Sequence, residues 1–110
     1  MARESNVDDA IDALCTKRGA IGRKIHGSKF QKVVTDWLIC YKGYFLAIES
    51  KAGTDLSPQQ LRYMRQVRAE GGIAEVAYSA AIVARIFDTI DRGEKWKNGP
   101  LEKTTNTTDE

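Results

Sequence analysis

With 110 residues, 42% of them hydrophobic and 29% charged, the chain has the balance of one soluble globular domain and little room for a second core. No run approaches the roughly 18 apolar residues of a membrane span, and acids interrupt the apolar positions of the first twenty residues, so neither a transmembrane segment nor a secretory signal is expected. The net charge is only +2 but unevenly spread, with 12 basic against 8 acidic residues in 1–70 and 5 against 7 in 71–110.

In chain order, Val7, Ala10, Ile11 and Leu14 recur at the spacing of an amphipathic helix, closed by Gly19 behind Lys17 and Arg18 at the dipole-favoured end. Ala20–Lys32 reads as a short strand and a loop. From Lys17 to Lys32 the chain carries Lys17, Arg18, Arg23, Lys24, Lys29 and Lys32 and no acid. Such a run suits a phosphate backbone, or is simply a solvated basic strand and loop. Its neighbour His26 has no partner at triad or metal spacing and is left outside the chemistry. Val33–Tyr41 and Tyr44–Ser50 read as a hairpin turned at Lys42-Gly43. Ser57-Pro58-Gln59-Gln60 starts a second helix, with Ser as cap, Pro at the first position and Gln at the third. Leu61, Met64 and Val67 continue it inward, and Arg62, Arg65 and Arg68 are read as facing out. Ile73–Tyr78 is a short apolar strand. Ser79 can cap a last helix bearing Ile82, Val83, Ile86, Phe87 and Ile90. Beyond Asp91 the composition turns polar, and the last ten or so residues are expected to be disordered. The two cysteines, Cys15 and Cys40, lack metal-ligand spacing and are expected to be buried free thiols of a reducing compartment. The order α-β-β-β-α-β-α gives an α/β fold with a mixed β-sheet flanked by helices.

The hairpin carries the most informative relationship. A two-residue turn at Lys42-Gly43 pairs Tyr41 with Tyr44 and, by the same register, Asp36 with Glu49. Their Cβ atoms would then lie about 4.5–5.5 Å apart. Lys51 falls on the same face as Glu49, because strand side chains alternate. The remaining residues of both hairpin faces are apolar, so an interior hairpin is expected. Two opposed acids at the end of such a pair repel each other and lose solvation. A divalent cation relieves that conflict and supplies a route to phosphodiester chemistry; a plain ion pair with Lys51 at a solvated sheet end relieves it equally.

An acid on one strand followed by Glu49-Ser50-Lys51 at the end of the next resembles the PD-(D/E)XK nuclease core. With Leu56-Ser57-Pro58-Gln59-Gln60, a helix, Gly71-Gly72 and an apolar strand behind it, the pattern over roughly Glu4 to Ile90 resembles the VRR-NUC family. The small stand-alone members of that family, often encoded by phages, match in length too. The resemblance implies a restriction-endonuclease-like fold in a nuclease domain over 1–92, followed by a polar, partly disordered tail over 93–110. It implies a catalytic set of Asp36, Glu49, Lys51, Gln60 and Glu4. Mg²⁺ or Mn²⁺ would be held by Asp36, Glu49 and the Ser50 carbonyl, with Glu4 completing or tuning the site. Lys24 matches the family's basic residue on the strand before the hairpin. Lys17, Arg18, Arg23, Lys24, Lys29 and Lys32, with Arg62, Arg65 and Arg68, would grip DNA. Gln60 and Glu4 have plainer readings as a capping-box residue and a helix-dipole acid. Two departures stand out: Thr35-Asp36 replaces the family's Pro-Asp, and Lys32-Val33-Val34 replaces a Gly-rich approach.

The activity so implied is metal-dependent endonucleolytic cleavage of branched or duplex DNA by a homodimer. It would act in the cytoplasm of a bacterial or phage-infected host cell, without a membrane or a small-molecule cofactor. A nucleic-acid-binding module without catalysis, and a small interaction or inhibitor protein on the same fold, remain open as other classes.

Overall fold

The computed structural model describes residues 4–26, 33–50 and 56–101, with Glu4 and Ser5 described in backbone only. The elements follow the expected order: α1 (Glu4–Arg18), β1 (Ile21–Lys24), β2 (Trp37–Tyr41), β3 (Tyr44–Ser50), α2 (Pro58–Ala69), β4 (Ile73–Ala77) and α3 (Ala81–Asp91). They form a four-stranded mixed sheet in the order β1-β2-β3-β4. The first three strands run antiparallel, and β4 joins β3 in parallel through α2.

The tight turn has the expected register, Tyr41 opposite Tyr44 and Trp37 opposite Ile48. Both turn residues are left-handed, Lys42 at φ 50° and Gly43 at φ 87°. That conformation strains a lysine backbone. Here the Lys42 ammonium is held 2.6 Å from Asp91 Oδ1, at the end of α3. Val33–Asp36, expected within the strand, precedes it instead. The Asp36 carbonyl still accepts from the Ile25 N–H, but its own N–H turns to a side chain.

Alternation along β3 and β4 divides the core in two. Leu46, Ile48, Ile73 and Ala77 face Val7, Ile11 and Cys15 of α1 and Val83, Ile86, Phe87 and Ile90 of α3. Ala47 and Ala74 face Met64 and Val67 of α2. A Cβ added at Gly22 would stand 3.0 Å from Cys15 Sγ, so this glycine lets β1 and α1 approach closely.

The hairpin is interior on one face only. Trp37, Ile39 and Tyr41 are buried, whereas Cys40 and Phe45 on the other face are exposed, because α2 covers that face only over Ala47 and Ala74; Tyr44, at the turn on the buried face, is exposed as well. Cys40 is therefore a surface thiol, contrary to expectation. Cys15 is buried, and burial, helped by Asp12, pushes its thiol up to about 11. Ala80 takes the N-cap position of α3, and the Ser79 hydroxyl accepts from the Ala81 N–H just beside it. Ala10, expected on the inward stripe of α1, is exposed.

Two charge clusters lock the periphery. Asp91 accepts from Arg18, Tyr41 and Lys42, joining the ends of α1 and α3 to the hairpin turn. Buried Glu75 on β4 takes Arg68 at 3.1 Å, the Trp96 indole N–H at 2.6 Å and the Gly99 N–H at 2.9 Å. The beginning of the polar segment thus lies along β4, while residues 102–110 lie outside those described.

Candidate active site

The cluster forms where β2 begins and β3 ends. One step beyond the last paired rung, the Asp36 N–H donates to Glu49 Oε1 at 2.9 Å. In return the Ser50 N–H donates to Asp36 Oδ2 at 3.0 Å, and the Ser50 hydroxyl lies 2.8 Å from the same oxygen. The two acids are thus neighbours across the strands, and backbone donors answer each of them. Asp36, Glu49, Ser50 and Gln60 are all at most 6% exposed, so their polar atoms work where hydrogen bonds are strong and unmet groups costly.

Gln60 enters from the first turn of α2. Its N–H donates to the Ser57 hydroxyl and its Oε1 accepts from the Ser57 N–H, completing a capping box. Its Nε2 then donates to Glu49 Oε2 at 3.0 Å. One side chain thus caps α2 and reaches Glu49 at the end of β3.

Lys24, at the end of β1, lies 3.9 Å from Asp36 Oδ1 and 3.4 Å from Asp8 Oδ2. This lysine therefore sits among the site's carboxylates. Asp8, on the second turn of α1, escaped the sequence reading. It accepts from the Trp37 indole N–H at 2.9 Å and lies 2.6 Å from the Ser50 hydroxyl. It lies beside Val7 at the margin of the buried stripe. The expectations for Lys51 and for the Glu4 side chain lie outside the described residues.

Among the described residues, no three acidic, imidazole or thiol side chains are grouped so as to hold a metal ion by themselves. Asp36, Glu49 and the Ser50 carbonyl nevertheless offer hard oxygen donors, the type that Mg²⁺ and Mn²⁺ take. Cations of this kind commonly use one or two carboxylates and keep water for the rest.

The basic residues expected to contact DNA differ in their surroundings. Arg18 is tied to Asp88 and Asp91 at 2.9 and 2.8 Å and lies over the Tyr41 and Phe87 rings. Arg68 donates to the Ala74 and Gly99 carbonyls beside its pair with Glu75. Both guanidinium groups thus serve intramolecular pairs, Arg18 at the surface and Arg68 part-buried. Lys17, Arg23, Arg62 and Arg65 are exposed, and Arg62 and Arg65 line a groove along α2 with Pro58, Leu61, Gln66 and Ala69. Lys29 and Lys32 lie outside the described residues. No helix among those described is long and apolar enough to cross a membrane.

Compared with known proteins, the chain matches no family model and no curated protein.

Proposed function

We propose that this chain is a metal-dependent DNA endonuclease of the VRR-NUC type, with a restriction-endonuclease-like core, acting as a homodimer on branched DNA. The observation that carries the reading is the buried hydrogen-bonded cluster of Asp36, Glu49, Ser50 and Gln60, at the spacing of the nuclease motif. Asp36, Glu49 and the Ser50 carbonyl would hold Mg²⁺ or Mn²⁺. A divalent cation bound there supplies Lewis acidity toward the phosphodiester and makes water a better nucleophile.

The chain's own groups do the rest. Gln60 orients Glu49, and Lys24 offsets the charge of Asp36 and Asp8. Lys51 orients the attacking water or holds a phosphate oxygen. Arg62 and Arg65 bind the backbone beside the site. Water adds to phosphorus as the bond to the 3′ oxygen breaks, leaving a 5′-phosphate and a 3′-hydroxyl. A domain with one such site needs a second copy to cut two strands symmetrically. A cytoplasmic location fits the exposed thiol of Cys40.

The test is cleavage of end-labelled single-stranded, duplex, flap and four-way-junction DNA with Mg²⁺ or Mn²⁺ against EDTA, with Lys51→Ala purified in parallel. Metal-dependent cutting that the variant lacks is the expected result. A second reading, nucleic-acid binding without catalysis, is favoured by the hydrogen bonds that Asp36 and Glu49 already accept. Salt-sensitive DNA binding with no cutting in either metal would select it.

A further inference from the structure

Asp8 belongs to none of the motif residues, yet it reaches both oxygens of Asp36 through intermediaries. One path runs from Asp8 Oδ1 to the Ser50 hydroxyl at 2.6 Å and on to Asp36 Oδ2 at 2.8 Å. The other runs from Asp8 Oδ2 to the Lys24 ammonium at 3.4 Å and on to Asp36 Oδ1 at 3.9 Å. Asp8 is itself anchored, since its Oδ1 accepts from the indole N–H of Trp37, a core residue only 3% exposed and adjacent to Asp36 in the chain. A rigid core ring thus fixes Asp8, and Asp8 fixes the two groups that border Asp36.

We propose that Asp8 is a positioning residue of the site, setting the Asp36 carboxylate through Ser50 and Lys24. This inference rests on the metal-dependent reading above. Loss of a group that orients a ligating carboxylate costs about 10–100-fold in metal affinity or activity. Two residues acting on one path also give non-additive losses. Docking of α1 to the sheet would instead lower stability without changing the response to metal.

The experiment compares Asp8→Ala, Asp8→Asn, Ser50→Ala and the Asp8→Ala/Ser50→Ala pair. It measures the Mn²⁺ concentration for half-maximal cutting, kcat at saturating Mn²⁺, and urea unfolding. Each alanine variant is expected to lose about tenfold, and the pair little more than the worse single change. Asp8→Asn keeps an oxygen for the Trp37 indole and the Ser50 hydroxyl but sets an amide nitrogen against the Lys24 ammonium, and is expected to lose part of what the alanine variant loses. Additive losses in the pair would overturn the proposal. So would an alanine variant that loses stability alone, with its response to Mn²⁺ unchanged. If the wild type cuts nothing, the nuclease reading fails by itself. The urea cycle then decides on Asp8, with coupling to Ser50 expected and additivity overturning it.

Discussion

Gln60 donates from Nε2 to Glu49 Oε2 at 3.0 Å while its Oε1 closes the cap on α2, so one amide ties the helix start to the strand end. Gln60→Ala should therefore cost about 1–2 kcal/mol in urea unfolding, from the lost cap and the lost bond, and cutting should fall at least about tenfold. Gln60→Glu keeps an acceptor for the cap but sets a second carboxylate against Glu49. It should lose cutting with a smaller loss of helix stability. A Gln60→Glu variant of normal activity would detach Gln60 from the site.

The division of the arginines between the α2 groove and intramolecular pairs gives a binding prediction. Arg62→Ala/Arg65→Ala should weaken DNA binding and reduce the slope of log affinity against log salt by roughly 2, about one per phosphate contact. Arg18→Ala should leave that slope unchanged and lower the melting temperature, because its guanidinium serves Asp88 and Asp91. Filter binding in EDTA over a range of salt reads both without relying on cutting.

The two thiols should differ in reactivity. Cys40 is exposed, whereas Cys15 is buried and its thiol is pushed up to about 11. A thiol reagent at pH 8 should label Cys40 rapidly and Cys15 only on unfolding. Mass spectrometry of native and urea-treated protein distinguishes them, and fast labelling of both would contradict the packing of α1 on β1.

Asp91 provides a pH signature. The Lys42 hydrogen bond, then those from Tyr41 and Arg18, hold its carboxyl down at about 2, against the ordinary 3.8. A group depressed in the folded state stabilises above its ordinary value and loses that contribution as pH falls toward the folded one. Asp91→Asn should thus melt below wild type at pH 7, with the gap closing between 3.8 and about 2. Thermal melts across that range test it, and a constant gap would contradict the ionic role.

Much of this arrangement was legible from local pattern. The turn at Lys42-Gly43 sets the register, and the register alone makes Asp36 and Glu49 neighbours. Ser57-Pro58-Gln59-Gln60 announces its cap through spacing that needs no distant partner. What escaped depends on partners far along the chain. Arg18 meets Asp88 and Asp91, and Arg68 meets Glu75 and the Gly99 carbonyl, so a run of charge read as solvent-facing was partly spent on intramolecular pairs. Alternation assigned Cys40 and Phe45 to a face, but how far α2 extends over that face is a matter of packing. Asp8 was hidden because helical periodicity weighs apolar positions, and an acid at the stripe's margin gives no periodic signal.

The most direct test of the central claim is to measure Mn²⁺ binding by calorimetry and DNA cutting on the same preparations of wild type, Asp36→Asn and Glu49→Gln. The account predicts cation binding and metal-dependent cutting by the wild type, both lost together in each variant while the fold persists. Cutting that survives Glu49→Gln, or a wild type that neither binds the cation nor cuts, would contradict it.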